Sequence, residues 1–294
     1  MNKHTLVNVL RALIPIGVMS VGAGVACAAE CNNPVDCQKQ GDMAYKQGNY
    51  ELATAFYQKY LLYQEVKQNP DSVWCADAAD CSRQGEAAYK RRDFTLAVAL
   101  YRKQVMHVEE DNISCDAASA NASEKTCDSD KATAYNNLAM ANLHNGEPVK
   151  AQLWLSVAPS SASTEFNKRL VAKALAAHHW TSSPEGQYWS NAGFGLWSEV
   201  RVIKTGDKYD IYFDGFWVPL NGLASGPHSG GLEDVVAIRD GVAVLHSQEL
   251  PECSVTARFK IDQVELSEND GCQGAFGVNV HANGTFVRVS SSID

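Results

Sequence analysis

The chain has 294 residues, 45% of them hydrophobic and 20% charged, which is enough apolar content for about two globular domains and too much for a disordered chain. Its formal charge of −9 at pH 7 argues against nucleic acid or an anionic membrane surface as the main partner, since both are bound through basic faces.

Residues 1–28 read as a signal peptide. Lys3 and Arg11 make a positive start, Ala12 to Val25 is apolar but too short and glycine-rich for a comfortable membrane span, and Ala26-Cys27-Ala28 offers the small-x-small pattern of a signal-peptidase site. This predicts an exported, periplasmic protein with no transmembrane span after cleavage. Gly24-Val25-Ala26-Cys27 also resembles a lipobox, with Gly24 where Leu is usual, so lipid anchoring at Cys27 is one alternative and free secretion another.

Beyond Cys27 the cysteines are Cys31, Cys37, Cys75, Cys81, Cys115, Cys127, Cys253 and Cys272. An even set in an oxidising compartment predicts disulfides. Eight cysteines allow 105 pairings; the local choice is 31–37, 75–81, 115–127 and 253–272. No CxxC or CxxH spacing occurs, so no metal site is expected, and no cofactor.

Residues 29–180 read as helical and repetitive. Cys31 to Tyr57 recurs, shifted by 44 residues, as Cys75 to Tyr101: Cys31 and Cys37 map to Cys75 and Cys81, Gly41 to Gly85, Tyr45 to Tyr89, Tyr50 to Phe94 and Tyr57 to Tyr101. Leu52, Ala53, Phe56, Tyr57, Tyr60 and Leu61 share one helical stripe, as do Leu96, Ala97, Leu100, Tyr101 and Val105. Gly48-Asn49 and Arg92-Asp93 are read as turns with N-caps. A weaker third copy starts near Lys131, after an insertion of about ten residues within 112–130. Ser163 to His179 is expected to cap the stack, with Phe166, Leu170 and Leu175 turned inward.

The pattern Gly41/Ala44/Gly48/Tyr50/Ala53/Tyr57 and Gly85/Ala88/Phe94/Ala97/Tyr101 resembles the tetratricopeptide signature, and the cysteines before each small Gly are similar to the secreted, cysteine-rich Sel1-like branch. The resemblance implies an α-helical repeat solenoid that binds proteins. It also implies that the exposed inner positions are Gln38, Asp42 and Tyr45, then Ser82, Glu86 and Tyr89, then Asn136, Met140 and His144. An acidic and aromatic groove of this kind suits a basic or Tyr/Arg-rich peptide. Tyr45 and Tyr89 have a second reading, as packing residues between helices.

Residues 181–294 change texture. Thr181 to Gly186 is linker-like, and period-two alternation follows, as in Cys253 to Ile261 and Phe276 to Val280. Hairpins are expected at Gly206-Asp207, Asp240-Gly241 and Asn283-Gly284. At least seven short strands predict an antiparallel barrel-like domain, with a sandwich as second choice. The fold class is therefore α+β with segregated domains.

No nucleophile elbow, H-E-x-x-H or phosphate loop occurs, and His228-Ser229 reads as a loop. The expectation is a non-catalytic module that binds another protein in the cell envelope, with an inhibitor or immunity role as a specific version. The alternative is a cell-wall-directed enzyme or small-ligand-binding barrel, motivated by Tyr188, Trp189, Trp197, Tyr212 and Trp217.

Overall fold

A computed structural model describes residues 31, 34–50, 52–57, 60, 73–118, 124–219 and 226–292. The signal-peptide and Cys27 readings lie outside these residues. The chain divides into two compact units, residues 1–64 and 65–294.

In the first unit, α1 (Pro34–Lys46) is followed by helical residues 52–57. Gly48 takes φ +75°, where a Cβ would be strained, and Asn49 Oδ1 accepts from the Leu52 amide at 3.2 Å, capping the second helix. A Cys31–Cys37 disulfide, Ala44, Ala53 and Phe56 make a small core. A Cβ on Gly41 would stand 2.7 Å from the Tyr57 ring, so glycine is required there by the aromatic it carries.

The second unit opens with five helices: α2 (Ala78–Lys90), α3 (Phe94–Ala118), α4 (Glu124–His144), α5 (Pro148–Val157) and α6 (Ala162–Leu175). The devices of the first pair recur. Cys75 bonds Cys81, the Tyr101 ring lies 2.6 Å from where a Cβ on Gly85 would be, and Asp93 Oδ1 accepts from the Leu96 amide at 3.2 Å. Pro148 occupies the first turn of α5, and Ser161 Oγ accepts from the Thr164 amide to cap α6.

These helices do not form the expected repeat solenoid. A solenoid stacks similar units over one continuous core, each unit touching only its neighbours. Here the cluster built from α2 to α6 also takes in Trp189 and Trp197 of the sheet, so the helices share their core with a different kind of element. Helix lengths differ too: α3 has 25 residues, α4 has 21 and α5 has 10, and the insertion supplies the last turns of α3 and the first turns of α4. The capping reading of α6 is corrected as well. Its buried face is Thr164 and Val171, with Leu175 packed beside them, while Phe166 and Leu170 are exposed.

Eight strands follow: β1 (Gly186–Gly193), β2 (Leu196–Thr205), β3 (Lys208–Trp217), β4 (His228–Val236), β5 (Val242–His246), β6 (Ser254–Phe259), β7 (Gln263–Glu268) and β8 (Gly284–Ser290). They form one antiparallel sheet in the order β4-β3-β2-β1-β8-β7-β6-β5, so the sheet is a near-closed barrel. Chain neighbours β4 and β5 flank the seam, while β1 and β8 pair to close the other side. At the seam Asp234 Oδ2 accepts from the His246 amide at 2.9 Å, a side chain standing in for a ladder bond.

Two hairpin readings differ from the structure. Phe276 to Val280 is not a strand. Residues 269–283 cross the barrel as a plug, with Phe276, Val280 and Ala282 in its core and Cys272 bonded to Cys253. Asn283 does not turn a hairpin; its Oδ1 accepts from the Glu268 amide and pins the plug to β7. Buried Arg288 of β8 donates to the carbonyls of Thr181 (2.9 Å) and Ile261 (3.2 Å), with its guanidinium over the Trp180 and Tyr188 rings.

Candidate functional site

In the first unit Gln38 and Tyr45 are exposed, Tyr45 meets Tyr50 edge-on, and Asp42 Oδ1 accepts from the Tyr57 hydroxyl at 2.8 Å. Burial and that carboxylate push the Tyr57 hydroxyl up to about 12. In the second unit Ser82 is half-buried and exposed Glu86 pairs with Lys90 at 2.6 Å. Burial, then Glu86, push the Tyr101 hydroxyl up to about 12.

Tyr89 and His144 do meet, but as packing: their rings and that of Phe94 lie 5.3–5.5 Å apart around the α2–α3 turn. Asn136 is buried. It donates to the Ala132 carbonyl (2.6 Å) and Thr164 Oγ1 (2.8 Å) and accepts from Asn167 (2.7 Å), which ties α6 onto α4. Met140 is half-buried.

The barrel interior is filled. Inward residues of all eight strands, with Phe276, Val280 and Ala282 of the plug, form one apolar cluster. The aromatics that motivated an exposed binding surface are also engaged. Tyr188 is buried, Trp217 packs on the barrel core, Trp189 and Trp197 pack on the helical core, and Tyr212 donates to Asp210 while lying under Arg201.

A cleft of about 450 Å³ opens where the β1–β2 hairpin meets the helices. Its floor is a buried polar set. The Tyr135 hydroxyl donates to Glu109 Oε1 at 2.8 Å, and Lys131 Nζ stands 3.4 Å from Glu109 Oε2. Asp128, Lys131 and Tyr135 lie at i, i+3 and i+7 on α4, so one helical stripe supplies three of the lining residues. Val157, Pro159 and Ser160 make one wall; Asn191, Gly193 and Phe194 of the hairpin make the other. Phe194 holds φ +50° between two glycines of positive φ, and Gly195 packs so closely on Val105 that a Cβ would stand 2.8 Å from its Cγ1. The hairpin tip is thus fixed against α3.

Electrostatics favour holding a ligand over moving a proton. Burial first, then the Glu109 carboxylate, push the Tyr135 hydroxyl far up, so it remains a neutral donor. Glu109 has both oxygens engaged. Asp128 is the exposed carboxylate at the rim. Sequence reasoning missed this site because its two halves lie about 60 residues apart in the chain. Only the Asp128/Lys131/Tyr135 stripe was visible, and it looks like an ordinary amphipathic helix.

Cys31–Cys37, Cys75–Cys81 and Cys253–Cys272 are disulfides, and Cys127 is also disulfide-bonded; the Cys115 side chain lies outside the described residues. These bonds place the protein in an oxidising environment. No helix among the described residues is long and apolar enough to cross a membrane. Comparison with protein-family models, with curated proteins and with solved structures finds no match to this chain.

Proposed function

We propose that this is a periplasmic protein-binding module whose recognition site is the cleft between its helices and the β1–β2 hairpin. One observation carries the reading: a preformed cleft with a buried ionic floor, an acidic rim at Asp128 and an aromatic side chain, Phe194, held at a strained tip. That chemistry suits a partner side chain with a cationic head and an apolar stem, Lys or Arg. The tetratricopeptide-like spacing of the helix pairs fits a family that binds proteins, although the surface offered here is not a repeat groove. An inhibitor or immunity role is the specific version that export and size suggest.

The test is photocrosslinking in the intact cell envelope, with a benzophenone amino acid at position 194 or, as a control, at exposed position 261. A defined protein adduct at 194 alone, weakened in an Asp128→Lys background, is expected. Equal labelling at both positions would remove the cleft from consideration.

A further inference from the structure

The second disulfide has a histidine beside it. The Sγ atoms of Cys75 and Cys81 and a ring nitrogen of His107 all lie within 4.8 Å of one another. Glu110, one turn further along α3, has Oε2 3.9 Å from His107 Nδ1. In the first repeat, the positions equivalent to His107 and Glu110 are Tyr63 and Val66, which bind no metal. The sequence repeat therefore keeps the cysteine pair in both copies and has the histidine and glutamate in the second copy alone.

We propose that Cys75, Cys81, His107 and Glu110 form a thiol-gated zinc site, closed as a disulfide and opened by reduction. Two thiolates, an imidazole and a carboxylate are a tetrahedral donor set for Zn²⁺. Bond lengths of about 2.0–2.3 Å put the ligand atoms of such a site roughly 3.3–3.8 Å apart. The observed cluster is the two sulfurs and the imidazole; the Glu110 carboxylate stands outside it, beside His107, and rotation of its side chain brings it in as fourth ligand once the sulfurs separate.

The gating step balances with a low-molecular-weight thiol as reductant. Its thiolate attacks Sγ of Cys75, the more exposed residue of the two at 6% against 0% for Cys81, forming a mixed disulfide and expelling the Cys81 thiolate. A second equivalent of the thiol displaces the Cys75 thiolate and leaves as the small-molecule disulfide. Zn²⁺ then joins the two thiolates to His107, which ties the start of α2 to α3, whereas the disulfide joins only Cys75 to Cys81 within that start.

The experiment is a Co²⁺ titration of the full mature protein, oxidised and after reduction with removal of the reductant, read by thiolate-to-cobalt charge-transfer absorption with far-UV circular dichroism in parallel. The expected result is one Co²⁺ per reduced chain and none per oxidised chain, displaced by Zn²⁺. His107→Ala should weaken binding at least about 10-fold. Cys31→Ser/Cys37→Ser should leave it unchanged, because that pair has no histidine. Equal affinity in His107→Ala, loss of uptake in the Cys31→Ser/Cys37→Ser variant, two equivalents bound, or no uptake would each overturn the proposal. Adventitious binding by an unfolded, reduced chain gives the first or third of these outcomes, so it is not mistaken for support.

Discussion

Gly85 shows how one residue fixes two helices. Its φ is ordinary, and glycine is needed because the Tyr101 ring occupies the space of a Cβ, as Tyr57 does over Gly41. Gly85→Ala should cost about 1–3 kcal/mol through overpacking, measured by chemical denaturation. Shrinking the ring as well, in Gly85→Ala/Tyr101→Leu, should cost less than the two single changes summed; simple additivity would refute the packing account.

Glu199 makes a different kind of residue-scale prediction. Burial raises its pKa against the pull of Arg201, Lys150 and Arg102, and one of its carboxylate oxygens is buried without a partner. The folded state therefore binds the proton more tightly than the unfolded state. The stability this gives is fully present below the ordinary glutamate pKa and is lost as pH rises through the raised one. Glu199→Gln should accordingly raise Tm at pH 7 relative to the parent, with the gain shrinking toward pH 4. A gain independent of pH would point to a cause other than titration.

Among the elements, the plug is the one whose role was least visible beforehand. Cutting the Cys253–Cys272 bond by Cys253→Ser/Cys272→Ser should cost about 2–4 kcal/mol and speed hydrogen exchange across residues 269–283 before the strands. Unchanged exchange there would mean the bond holds nothing that Phe276 does not. The alternation of Phe276, Val278 and Val280 suggested a strand because period two is a local signal. In the fold Phe276 and Val280 fill the barrel, Val278 is exposed, and Gly274 and Gly277 at positive φ break the extended run. Strands such as β2, β3 and β6 were legible because buried and less buried residues alternate through their middles. The helix caps were legible for a similar reason: Asn49 and Asp93 act within three residues of themselves. The cleft was not, since Glu109, Tyr135 and Phe194 meet only through tertiary packing. Nor was the packing of Trp189 and Trp197 on the helical cluster, since they look like any strand aromatics until a helical layer covers them.

At the scale of the whole molecule, residues 73–292 share their apolar surfaces across the helix–sheet boundary. Trp154 meets Trp197 edge-on at 5.2 Å, Trp197 stacks on Trp189, and Lys150 lies over the Trp189 ring at 5.1 Å. Helical far-UV and tryptophan near-UV signals of this unit should therefore melt together. A 181–294 fragment should show red-shifted tryptophan emission relative to the full chain, with Trp189 and Trp197 uncovered. Native-like emission from the fragment would show that the helices do not shield these rings.

Barrel closure falls to the strands farthest apart in the chain. β1 waits for β8, and the guanidinium that locks Thr181 and Ile261 is carried by that same late strand. A chain emerging N-terminus first thus holds an unfinished hoop until β8 is made, with the flanks of β1 and β7 open to foreign strands. Loss of β8 would leave a sticky open ribbon, so this one strand decides whether the sheet closes on itself or pairs with a neighbour.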